Sequence, residues 1–131
     1  NKPLTAEELR DQLKRKEQTN PMAYLEDKEV TLTPRRIKTR NAGLFRDAEY
    51  ENDGATIKGF FRNKATLAKF KDIQVKVSFY SRTETLIDEQ YYTLYEYCEP
   101  NSTKPFSFSF QDLPAAYESF GFEIVDASVV N

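Results

Sequence analysis

The chain has 131 residues, enough for one domain and too few for two ordinary ones. Hydrophobic residues make up 39%, aromatics 14% and charged residues 31%, which fits neither a disordered chain nor a membrane-spanning one. With no His, the commonest general base near neutral pH and the commonest metal ligand are missing, and the lone Cys98 has no partner for an internal disulfide.

Net charge is −2, but its distribution is uneven. Residues 1–71 hold 16 Lys/Arg against 11 Asp/Glu, and residues 72–131 hold 3 against 10. Sandwich sheets commonly interleave early and late strands, so the expectation is that folding mixes the two signs.

The first predicted element is a helix from about Ala6 to Gln18. Thr5 is placed to cap it and Glu8 to complete a capping box, with Leu4 and Leu9 positioned as a hydrophobic staple. Glu7, Glu8 and Asp11 lie near its positive end and Lys14, Arg15 and Lys16 near its negative end, which suits the helix dipole. Asn20-Pro21 stops it, because a residue before proline is pushed out of the helical region. Beyond the staple its apolar stripe is only Leu9 and Leu13, so residues 1–24 read as a helical tether segment on the surface of a domain spanning 25–131.

After Pro21 the period changes from helical to strand-like. Val30 and Leu32 alternate with Thr31 and Thr33 until Pro34, which predicts an interruption, an edge strand or a strand switch. Residues 35–42 are basic and read as a loop or solvated edge. Residues 44–51 predict a short strand, and Asn52-Asp53-Gly54 a hairpin turn in which glycine supplies positive φ. Ile57, Gly59 and Phe61 are read as facing inward, with Lys58 and Arg62 outward. Strict alternation of Ile73, Val75, Val77 and Phe79 with polar residues predicts a half-buried strand, as does that of Phe106, Phe108 and Phe110 with Ser107 and Ser109. The stretch 86–98 carries apolar bulk on both faces, and Phe120, Phe122 and Ile124 mark a last strand over 119–125. Turns are expected at 81–84 and 100–103. The sum is a mainly β fold: an antiparallel β-sandwich of about seven strands with one N-terminal α-helix.

Ile57-Lys58-Gly59-Phe60-Phe61-Arg62-Asn63-Lys64-Ala65-Thr66, a strand ending in Asn and a short connection, leads through Phe70-Lys71-Asp72 into Val75-Lys76-Val77-Ser78-Phe79-Tyr80-Ser81. This run resembles the FxLYD-type module, a small immunoglobulin-like sandwich of bacterial envelope and secreted proteins. Tyr95-Glu96-Tyr97 and Pro100-Asn101-Ser102-Thr103-Lys104-Pro105-Phe106 resemble its polar turn and Phe-led strand. Lys2-Pro3-Leu4-Thr5 with Glu7-Glu8-Leu9 and Asn20-Pro21 is similar to the start of Bacteroidetes lipoproteins just after their lipidated Cys. The resemblance implies a structural or binding module in the periplasm or at the outer membrane, lipid-anchored, with an unknown protein or glycan as partner. It identifies no catalytic residue. Arg82-Thr83-Glu84 departs from it, standing where the family usually has Gly.

Residue chemistry points the same way. Asp88 and Glu89 are adjacent on a strand and so face opposite sides, which does not place two carboxylates about one glycosidic bond. Asn52-Asp53-Gly54 lacks calcium-loop spacing. Cys98 has no His to activate it and reads as a small hydrophobe, and four glycines form no phosphate loop. The expectation is therefore no enzyme, no metal and no cofactor. Ten bases lie between Arg35 and Lys71 with Phe60, Phe61 and Phe70 interspersed, but a solvated outer face explains them better than a single-stranded nucleic-acid groove. The weak candidates for ligand contact are Tyr91, Tyr95 and Tyr97, for which packing between the sheets is the favoured alternative.

Overall fold

A computed structural model describes the backbone of residues 3–40 and 49–131 and the side chains of 3–35 and 54–131. Helix α1 spans Ala6–Gln18, as expected from its cap. The Thr5 hydroxyl oxygen accepts from the Glu8 N–H at 3.1 Å, and the same hydroxyl donates to the Glu8 carboxylate, also at 3.1 Å. Leu4, Leu9 and Leu13 remain exposed, so the predicted staple does not bury them. The helix ends at Thr19, whose hydroxyl donates to the Lys16 carbonyl, and Pro21–Ala23 forms a single 3-10 turn.

Six strands follow, not seven: β1 (Leu25–Arg40), β2 (Glu49–Asn63), β3 (Phe70–Tyr80), β4 (Leu86–Cys98), β5 (Ser102–Phe110) and β6 (Ser119–Val129). They form two antiparallel three-stranded sheets, ordered β1-β2-β5 and β4-β3-β6, packed as a β-sandwich. The missing strand is explained at Asn52-Asp53-Gly54, which is no turn. β2 runs through it, with Asn52 opposite Arg36 and Ala55 opposite Pro34. Two residues of β2 there face one of β1, as in a β-bulge, and Gly54 takes φ 85°. Bulge and turn both call for a glycine with positive φ, so the local sequence serves either. Pro34 likewise does not stop β1; it sits on an edge strand, where no second neighbour needs its missing N–H. The segment 35–40 continues β1 as an edge, and residues 41–48, including most of the strand expected over 44–51, lie outside the described residues.

The core is the inward face of both sheets. Ile57, Phe61, Ile73, Val75, Val77 and Phe79 are fully buried, as their alternation predicts. Phe61 and Phe106 stack with ring centroids 4.2 Å apart, while Phe79 meets Phe110 at 5.8 Å and Phe106 meets Phe122 at 5.3 Å across the sheets. At the Ser81–Thr85 turn, Glu84 adopts φ 64° where a glycine would be usual. The Ser81 hydroxyl accepts from the N–H groups of Thr83 and Thr85 and holds that conformation.

The two charge signs mix only in part. Sheet β4-β3-β6 comes, but for Phe70 and Lys71, from the acidic later part of the chain and carries two basic against six acidic residues, whereas β1-β2-β5 carries eight basic against six acidic. Consecutive pairing of β1 with β2 and of β3 with β4 keeps the halves apart, and only β5 crosses over.

Candidate functional site

β4 is an edge strand, paired only with β3 among the described residues. Its inward side chains are Tyr92 and Leu94, partly buried, and Cys98, fully buried. Alternation then sends Tyr91, Thr93, Tyr95 and Tyr97 outward. Tyr91 is 64%, Tyr95 81% and Tyr97 52% exposed, so packing between the sheets is not their role. Both faces of β4 offered aromatic bulk, and the inner layer had room for one; Phe108 and Phe110 of β5 take Tyr92 as their neighbour, with centroids 5.1 and 5.6 Å away.

The outward row has polar company. Lys71 stands opposite Tyr97, Gln74 opposite Thr93 and Lys76 opposite Tyr91. The Lys69 ammonium lies 4.5 Å from the Tyr97 ring centre and 2.9 Å from the Glu99 carboxylate. Lys76 pairs with Glu123 of β6 at 3.2 Å, and that carboxylate holds its ammonium above the usual lysine range. Two shallow hollows open along the row, about 180 Å³ lined by Lys71, Asp72, Tyr95, Glu96 and Tyr97, and about 210 Å³ lined by Gln74, Tyr91, Tyr92 and Thr93. Burial first, then the charges of Asp112 and Asp88, push the Tyr92 hydroxyl up to about 12. It donates a short hydrogen bond to the Gln90 side-chain oxygen.

A larger and more open hollow, about 730 Å³, is lined by Glu29, Thr31, Lys58, Gly59, Phe60, Glu96, Pro105, Phe106 and Ser107. Here Glu29 of β1 and Glu96 of β4 approach one concavity from different strands, a convergence that neither carboxylate's local sequence foretells. Glu96 is engaged by Lys104 at 3.2 Å. Cys98 lines no hollow described; burial foremost pushes its thiol up to about 11, so it is protonated at neutral pH. Among the described residues no cluster of three or more His, Cys, Asp or Glu comes together as a cation site.

One heavily bonded charged group was not foreseen from sequence at all. Glu17, in the last turn of α1, is 2% exposed. One carboxylate oxygen accepts from the Thr66 N–H (2.8 Å) and hydroxyl (2.9 Å), and the other from the Leu67 N–H (2.8 Å) and Ala68 N–H (3.0 Å). Burial raises its pKa, but these donors outweigh burial and hold it below the ordinary carboxylate value. The same loop is gripped from below by Asn63, fully buried, whose amide donates to the Ala68 and Cys98 carbonyls and accepts from the Ala65 N–H. Loop 64–69 thus joins α1, β2 and β4, and it fixes Lys69 beside Tyr97.

Comparison with family models, with curated proteins and with solved structures finds no match for this chain.

Proposed function

We propose that the protein is a non-catalytic binding module of a bacterial cell-envelope lipoprotein, and that it engages a protein or glycan partner through the tyrosine row of β4. The observation that carries the contact role is the exposure of Tyr91, Tyr95 and Tyr97 on one face of an edge strand. A tyrosine supplies a large apolar surface with a polar tip, and a contiguous exposed group of them marks an interaction surface more than a solvated one. The immunoglobulin-like and envelope parts of the reading rest on the FxLYD-type resemblance over residues 55–110 and on the lipoprotein-like opening segment. The upstream lipid anchor in this reading rests on that opening segment; among the described residues no helix is long and apolar enough to cross a membrane.

A second reading, a glycan-binding accessory protein, is favoured by the 730 Å³ hollow, where Phe60 offers a ring face and Glu29, Lys58 and Glu96 offer polar groups. One experiment addresses both. Wild type, a Tyr91→Ser/Tyr95→Ser/Tyr97→Ser variant and Phe60→Ala are applied to immobilised panels of oligosaccharides and of synthetic peptides. The first reading expects binding that the triple variant loses and Phe60→Ala keeps. Binding lost only with Phe60→Ala overturns it for the second reading, and binding that survives both sets of changes overturns both.

A further inference from the structure

The four sheet edges are not equally protected. β1 carries Pro34 and three register breaks; β5 has nine residues interrupted by Lys104-Pro105; β6 lies against the Pro21–Ala23 turn and β1. Such devices keep an edge from recruiting another strand. Among the described residues β4 has no proline, register break or covering strand from Asp88 to Leu94, where the Gln90 amide donates to the Asp112 carbonyl. Its thirteen residues include no Pro, Gly, Lys or Arg, and from Asp88 to Leu94 its pairing with β3 is unbroken. That stretch of seven residues spans about 23 Å.

The backbone of this stretch faces outward in part. The Glu89 N–H donates to the Asp88 carboxylate at 2.9 Å, which places it on the side of the strand away from β3. Antiparallel ladders alternate, so the N–H and C=O groups of Tyr91 and Thr93 lie on that same free side. The charged residues of β4 are Asp88, Glu89 and Glu96, all acidic, and Glu96 is already balanced by Lys104. Glu89 and Tyr91 share the outward face at a spacing of two residues, so a cation on an added strand would reach the carboxylate and the ring together. On the same face the Tyr97 ring already carries the Lys69 ammonium. A second copy fits the edge less well, since β4 carries no Lys or Arg to meet those carboxylates.

We propose that the free edge of β4 from Asp88 to Leu94 takes an extended, lysine- or arginine-bearing segment of a partner protein as an additional strand. This deepens the reading of the tyrosine row as a contact surface and rests on it. Main-chain hydrogen bonds to Tyr91 and Thr93 supply the pairing, and Glu89 and the Tyr91 ring select the positive charge.

The test uses the full chain and three fluorescent peptides read by anisotropy: alternating Lys-Val, alternating Glu-Val, and Lys-Val with every second amide N-methylated. The expected result is that Lys-Val binds at least about tenfold more tightly than either of the others, and that Tyr91→Ser and Glu89→Lys each weaken it by about fivefold or more. Raising salt from about 50 to about 200 mM should weaken it further. Equal binding of the N-methylated peptide removes edge pairing, and equal binding of Glu-Val removes charge selection; either overturns the proposal without relying on a variant that must fold. Self-association in sedimentation velocity that Tyr91→Ser abolishes, or oligosaccharide binding lost in the triple tyrosine variant with no peptide binding, overturns this proposal and leaves the contact surface standing. No binding of any probe that depends on the tyrosines overturns both.

Discussion

Replacing Glu17 by Gln tests whether α1 is fastened to the sandwich by one carboxylate. The exposed leucines of α1 contribute little packing, so the four hydrogen bonds at 2.8 to 3.0 Å are its main attachment. Each donates to a charged acceptor, a class worth about 1.5–3 kcal/mol when it stands alone. The glutamine keeps one acceptor oxygen and points an NH₂ at two of the four donors, so roughly half of that set is lost. The loss is capped because α1 and loop 64–69 can open while the sandwich stays folded. A net cost of about 2–3 kcal/mol follows, or a fall in Tm of about 10 °C for a domain of this size. Thermal unfolding followed by circular dichroism measures it, and amide exchange at Thr66, Leu67 and Ala68 should quicken in parallel. Glu17 has its pKa lowered on folding, so its stabilisation is present above the unfolded value of 4.5 and is lost as pH falls through the lower folded value. The gap between wild type and Glu17→Gln should therefore be full near neutral pH and close progressively below pH 4.5. A Tm within about 2 °C of wild type, with unchanged exchange at the three amides, would refute the reasoning.

Two further substitutions probe the same framework. Asn63→Asp places a carboxylate against the Ala68 and Cys98 carbonyls that the amide now serves, and should cost about 3 kcal/mol or more at neutral pH in urea unfolding; a midpoint shift of under about 0.3 M would contradict it. Gly54→Ala puts a methyl carbon 1.8 Å from the Phe110 carbonyl oxygen on a residue at φ 85°, and should cost about 3 kcal/mol or more. A solvent-facing hairpin turn at that position would lose only about 1 kcal/mol, so the same unfolding curve separates bulge from turn.

Much of the fold is written in short-range pattern. The Thr5–Glu8 cap, the Asn20-Pro21 stop and the alternation of Ile73, Val75, Val77 and Phe79 each depend on residues a few positions apart, and each appears where expected. Three features depend on distant partners and are not legible in this way. Gly54 suits a bulge or a turn equally, and only the pairing of β1 with β2 selects the bulge. Tyr91 and Tyr92 compete for the inner face of β4, and the aromatic layer of β5 decides between them. Glu17 binds backbone N–H groups 49 to 51 residues away, which carry no side-chain signature to pair with it. Asn63 lies between these cases. Its place at the end of a strand is read from the sequence, while its three buried main-chain partners come from the fold.

The segregation of charge between the sheets gives the molecule a sidedness that a net charge of −2 conceals. Beside an anionic surface, the β1-β2-β5 side is the one attracted and the β4-β3-β6 side the one repelled, so the tyrosine row turns away from that surface. Screening confines this torque to within about 8 Å at physiological salt. It acts on a module held close to a surface and vanishes for one diffusing freely, which makes the length of any tether a control on which way the tyrosines look.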